Sequence, residues 1–257
     1  MSKLIDRLNQ TTKAMFKPIG FGRSQPIPAK PKMLFLVHLA QAKEAGRLAD
    51  YIKGADAVIF TELGPGTKSL QKIIQSVSDI PWGLWLEDIS DLKPMVEAGG
   101  DFVIFPENSK LTMPEDDKVG KILHVEASLN EGLIRAANEL PIDAVLITGE
   151  WGESLLTWHH LMLFQRFADL LSKPLLVSIP LSLTAKELQV LWETGVDGVV
   201  VTVGIGQPGE KLKELCQTMA QLTFPTRRQK KIEALLPHVS EEKSTVTETE
   251  EEEEEEE

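Results

Sequence analysis

GADAVIF, residues 54–60, joins a small turn, an aspartate and an apolar run, and the chain writes nearly the same phrase three more times. It recurs as GGDFVIF at 99–105, PIDAVLI at 141–147 and GVDGVVV at 195–201. Each phrase reads as a short buried strand, rich in Val, Ile and Phe and preceded by turn residues. Four further apolar runs alternate with them: KMLFLVHLA (32–40), PWGLWLED (81–88), KILHVEAS (121–128) and PLLVSIP (174–180). The four aspartates, Asp56, Asp101, Asp143 and Asp197, stand 45, 42 and 54 residues apart. Each repeat therefore holds two strands and two connections, which makes eight strands.

The connections are predicted to be helices from their spacing of apolar residues. These are 41–54, 68–79, 90–100, 128–140, 153–173, 184–195 and 208–222, with only a weak pattern over 107–120. Gly54, Gly99 and Gly195 suit helix ends, and Pro208 suits a first helical turn. Strands apolar throughout, each followed by a helix, imply a parallel sheet covered on its outer face. Eight such units in four near-equivalent quarter-turns predict an α/β fold, a closed (β/α)8 TIM barrel, with an open doubly wound sheet as the competing topology. In a barrel each repeated aspartate precedes its apolar run and lies on the bottom rim. There it is expected to cap or pair backbone rather than to catalyse.

The fourth phrase extends to GVDGVVVTVGIG (195–206), and in this form it resembles the late strands of aldolase-type TIM barrels, including the ribulose-phosphate-binding group. The resemblance covers most of 33–222 as an architecture and is specific at the level of motif near 195–206. It implies an enzyme of lyase or isomerase type.

Charge divides the chain into three parts. Residues 1–32 carry seven Lys or Arg against one Asp, and residues 241–257 carry eleven Glu against one Lys, in a chain of net charge −12. We divide it into an N-terminal helix and Pro/Gly-rich linker (1–32), the barrel (33–236) and a disordered acidic tail (237–257). An acidic middle argues against nucleic acid as the partner. No apolar run is long enough to span a bilayer, and the first residues carry no signal-peptide pattern, so a cytoplasmic location is expected. The lone Cys216 cannot form an intramolecular disulfide and reads as a buried, inert thiol in a helix. Leu4, Ile5, Leu8, Thr12 and Met15 share one helical face. It is expected to dock on the barrel, covering its bottom; contact with a membrane surface or a partner protein through residues 1–16 is the alternative.

Function in such a barrel belongs at the C-terminal strand ends. His38, Glu62, Glu87, Glu107, Glu126, Thr148, Glu150, Ser178 and Thr202 fall there. Alternation puts His124, Glu126 and Ser128 on one face of their strand and Thr148 and Glu150 on one face of the next. Convergent carboxylates repel one another and call for a divalent cation, a cationic ligand or raised pKa values. Glu126, Glu150, Glu87 and His38 are the candidate catalytic residues. Glu126, Glu150 and Glu62 are the candidate ligands for Mg or Mn. His124 lies deeper and reads as a core histidine, whereas His159 and His160 read as packing or surface within a helix.

GIGQPG (204–209) follows a strand and opens a helix, which suits an anion held by Gly204, Gly206 and Gly209 with Thr202, Ser178 and Lys68 in support. The segment after the seventh strand, SIPLSLTAKE (178–187), lacks the glycine-rich turn usual in phosphate-binding barrels. No further strand follows GIGQPG to complete a dinucleotide fold, and ELGPGTKSL (62–70) does not have P-loop spacing. No lysine sits within a strand at its mouth end, so Schiff-base chemistry is not expected. The reading is an aldolase-type barrel acting as lyase or isomerase on a small anionic metabolite, such as a phosphorylated one. A non-catalytic barrel serving as scaffold or binding module is the alternative.

Overall fold

Val, Ile, Leu and Phe fill both faces of the strands, and the two faces go to different cores. The structure is a computed structural model and describes residues 2–13, 32–40, 52–61, 80–87, 92–110, 118–149, 156–203 and 209–224. Its strands are β1 (Leu34–Leu39), β2 (Ala57–Phe60), β3 (Trp82–Trp85), β4 (Phe102–Pro106), β5 (Gly120–Glu126), β6 (Ala144–Thr148), β7 (Leu175–Ile179) and β8 (Gly198–Val203). All pair in parallel with their chain neighbours. β8 pairs back to β1 in the register Leu34 with Gly198 through Leu39 with Val203, which closes the barrel. The closed topology expected from the repeats is the one observed.

Alternation sorts the side chains. Leu34, Leu36, Ala57, Ile59, Phe102, Ile104, Ile122, Ala144, Leu146, Leu176 and Val200 pack together in the interior. Phe35, Val37, Phe60, Val103, Val145, Val177, Val199 and Val201 face outward into a second core shared with the helices. Those helices are α2 (Lys93–Glu97), α3 (Glu131–Ala136), α4 (Trp158–Leu170), α5 (Ala185–Glu193) and α6 (Gly209–Gln221). Their starts follow local chemistry. Thr184 and Glu187 form a reciprocal capping box on α5, and Asn130 Oδ1 accepts from Leu133 N on α3. The helix expected over 153–173 begins only at Trp158. Thr157 caps it, and His160 Nδ1 accepts from Thr157 N, so His159 and His160 belong to the first turn. The helices expected over 41–54 and 68–79 fall almost wholly outside the described residues, as does the tail.

Gly54, Gly99 and Gly195 all have positive φ, the conformation only glycine takes without strain, and each precedes a repeated aspartate by two residues. Three of those aspartates do the same work. Asp56, Asp143 and Asp197 accept through Oδ2 from Phe35 N (2.9 Å), Lys121 N (2.8 Å) and Leu175 N (2.8 Å). Their own N–H groups donate back to the carbonyls of the same residues. These three repeats are thus clips between adjacent strands at the bottom rim, the pairing role expected of them.

Asp101 differs. Its N–H still donates to Trp82 O, but its carboxylate accepts from Ser2 Oγ (2.7 Å), Lys3 N (2.7 Å) and Leu4 N (2.9 Å). These donors open α1 (Lys3–Lys13), so a carboxylate of the rim caps a helix separated from it by nearly a hundred residues. Leu4, Ile5 and Leu8, at most 2% exposed, enter the interior core from below. Gly120 makes room for them, because a Cβ there would lie 2.6 Å from Ile5 and 2.9 Å from Ser2. The apolar face of α1 therefore closes the bottom of the barrel.

Candidate functional site

The interior changes character toward the strand C-termini. Below are aliphatic and Phe side chains; continuing each strand's inward alternation upward gives His38, Thr61, Trp85, Pro106, His124, Thr148, Ser178 and Thr202. Polar groups at that depth need partners, and most have them. His38, 8% exposed, has Nδ1 3.1 Å from Thr202 Oγ1 and Nε2 2.5 Å from Thr61 Oγ1. A neutral imidazole has one donor and one acceptor nitrogen, so one hydroxyl donates to the ring and the other accepts from it. Burial pushes the His38 pKa down to about 4, which keeps the ring neutral.

Trp85 stands between the two histidines. Its ring centroid is 4.9 Å from that of His38 and 5.0 Å from that of His124, the latter edge to face. His124 is half-buried, and its Nε2 hydrogen-bonds Thr148 Oγ1. Its Nδ1 has no partner among the described residues. Burial lowers the His124 pKa, while the charge of Glu126, two residues on, acts the other way.

Carboxylates rise above this layer on neighbouring strands. Glu126 is exposed at the end of β5 and accepts from Ser128 Oγ (3.1 Å). Glu107 follows β4, its N–H donating to His124 O (3.1 Å). Partial burial first, and then the charge of Glu126, raise the Glu107 pKa. A carboxyl whose pKa is raised thus stands near a second carboxylate and an imidazole whose Nδ1 has no partner among the described residues. That set can take up and return a proton at a bound molecule.

The candidates from sequence are distributed unevenly over this site. Glu126 stands beside His124 and Glu107. Glu87 is exposed just past β3, above Trp85 by alternation. His38 is fixed by two hydroxyls, whereas His124 has the more open setting. Thr202 holds His38, Ser178 is partly buried on β7, and Gly209 opens α6 immediately beyond the β8 loop. Glu62, Lys68, Glu150, Gly204 and Gly206 lie outside the described residues. Among the described residues no three His, Cys, Asp or Glu side chains are placed to hold a metal ion. Cys216 is half-buried on α6, and burial pushes its thiol pKa up, in keeping with an inert thiol. Trp85 was missed in the sequence. Its signal was the two-residue spacing to Glu87, which puts an indole on the inward face directly beneath a mouth carboxylate.

No protein-family model matches the sequence, and no curated relative matches it. Solved structures do match. A Mycobacterium tuberculosis tryptophan synthase structure aligns with a TM-score of 0.57 at 12% identity over 85% of this chain and 97% of that one. A mutant tryptophan synthase alpha-subunit from Pyrococcus furiosus gives 0.52 at 12% identity over 74% and 97%. A thiamine phosphate pyrophosphorylase from P. furiosus gives 0.51 at 13% identity over 73% and 96%. At this identity the likeness is one of fold, and the resemblance to aldolase-type, ribulose-phosphate-binding-like TIM barrels holds at that level. No helix among the described residues is long and apolar enough to cross a membrane.

Proposed function

We propose that this barrel is an enzyme of lyase or isomerase type that moves a proton on a small anionic metabolite, such as a phosphorylated one, at the β4–β5 side of its mouth. One observation carries the reading: His124, whose Nδ1 has no partner among the described residues, lies beside Glu126 and Glu107, and the Glu107 pKa is raised. Groups drawn toward neutrality in a barrel mouth are the usual means of acid–base work near neutral pH. Glu126 would act as base, Glu107 as acid, and His124 as hydrogen-bond partner to the substrate oxygen. The anion would rest across the barrel, at the N-terminus of α6. A phosphorylated substrate is in keeping with the neighbouring thiamine phosphate pyrophosphorylase fold. A mouth filled by apolar side chains would favour a scaffold; here the top interior positions are mostly His, Thr and Ser. A divalent cation on Glu62, Glu126 and Glu150 is a separate proposal, and no step of this reading needs it.

The test is proton exchange. A panel of small phosphorylated carbonyl compounds is incubated with the protein in D2O and followed by NMR. We expect a C–H next to the carbonyl of one member to exchange, and Glu126→Gln to abolish the exchange while leaving binding intact. A panel whose members bind without any exchange would support the scaffold instead.

A further inference from the structure

We infer that Arg166, on α4, is a positioning residue for Glu126: it holds from outside the barrel the turn that aims this carboxylate over the mouth. The inference rests on the assignment of Glu126 to the proposed site. Arg166 Nη2 donates to Ala127 O (2.8 Å) and to Leu129 O (3.0 Å), 39 and 37 residues away in sequence. These carbonyls flank Ser128, whose hydroxyl donates to Glu126 Oε2. Leu129 N donates to Glu126 O (3.2 Å) and closes the same turn. The carboxylate is thus tied to Ser128, and Ser128 is held between two clamped carbonyls.

The guanidinium is placed for this task at some disadvantage to itself. It lies 5.5 Å from the Phe167 ring centroid, and its Nε is buried with no partner among the described residues. A buried donor left unbonded is unfavourable, and an apolar side chain would pack α4 without it. Both bonds it makes among the described residues go to the turn following β5. Ser128 itself is exposed, and the turn continues into Asn130, which caps α3, so Arg166 holds the part of the turn that lies between Glu126 and that cap.

The position of Glu126 can be read without any substrate, because its charge helps to raise the Glu107 pKa. The groups facing Glu107 here are Glu126 and, through the β5 backbone, His124. The experiment titrates the Glu107 carboxyl by 13C NMR in the full chain, comparing wild type with Glu126→Gln, Arg166→Met, Arg166→Gln and Arg166→Lys. Glu126→Gln is expected to lower the Glu107 midpoint, because it removes the neighbouring charge that helps to raise it. The Met and Gln variants at 166 are expected to lower it by a comparable part, because Glu126 swings away. Combining either with Glu126→Gln should add nothing, and Arg166→Lys should restore part of the wild-type value. A Glu107 midpoint unmoved in whichever folded variant lacks the guanidinium overturns the inference. Failure of proton exchange, with this titration as expected, would instead reject the proposed reaction and leave the positioning role standing.

Discussion

Replacing Asp101 with alanine should destabilise the protein more than the same change at Asp143, although the two residues occupy equivalent places in the repeat. Asp143 accepts one backbone bond among the described residues, from Lys121 N, so its loss costs about 1.5 kcal/mol, the order of a charge-assisted hydrogen bond. Asp101 accepts three, from Ser2 Oγ, Lys3 N and Leu4 N, and its charge faces the positive end of α1. Losing a helix cap costs ~1 kcal/mol, and the further bonds bring the sum to roughly 3–4 kcal/mol, discounted for the partial exposure of the rim. Asp101→Asn keeps an acceptor oxygen and should lose about half of that. Urea denaturation followed by circular dichroism reads the difference. For a domain of this size it corresponds to a shift of about 2–4 °C in Tm per kcal/mol. Leu8→Ala supplies a cross-check. Leu8 is fully buried inside the barrel, so truncating it should cost about 2–5 kcal/mol alone. Together with Asp101→Ala it should cost clearly less than the sum, because both changes release the same helix. Equal effects at Asp101 and Asp143, or full additivity with Leu8→Ala, would refute the argument that Asp101 was diverted from strand clip to helix cap.

The buried His38 makes stability sensitive to acid. The folded His38 pKa of about 4 lies below the unfolded value of 6.5, so the unfolded chain binds the extra proton. The contribution is complete above about pH 6.5 and is lost as the pH falls toward 4, with about 2 kcal/mol gone between pH 7 and pH 5. His38→Asn should flatten that part of the curve, and a curve unchanged by the substitution would contradict it. Gly120→Ala puts a methyl group against Ile5 and Ser2 and should cost about 1–3 kcal/mol, partly relieved by Ile5→Val. A neutral Gly120→Ala would mean that α1 does not press on β5. For the cation proposal, Mg2+ or Mn2+ should raise the Tm of EDTA-treated protein by several degrees, and Glu126→Gln should remove the rise. The chain is best ended at residue 240 for this, so that the eleven glutamates beyond do not compete for the ion.

Much of the architecture was legible because its determinants are local. A run such as VVV after Gly-Val-Asp-Gly is a strong local strand signal, and the fourfold return of such runs with helices between leaves few topologies. Alternation within β5 and β6 also placed His124, Glu126 and Thr148 on one face before any coordinates. It could not say which histidine would be fully bonded. His38 finds its hydroxyls on β2 and β8, so its state depends on the register of strands 23 and 164 residues away. Trp85 was likewise unreadable as a spacer between two imidazoles, since the three come from three different strands.

The sequence by itself determined the eight-strand repeat, the bottom-rim role of its aspartates and the polar mouth, because propensity and periodicity act over a few residues. Only the tertiary structure decided that α1 would enter the barrel, that Asp101 would turn from its strand to cap it, and that Arg166 would reach the turn bearing Glu126. Each of these contacts joins residues 37 to 99 positions apart. Nothing in the local pattern favours one such partner over another. The choice is made by the closed barrel, which brings them within hydrogen-bond reach once the strands have paired.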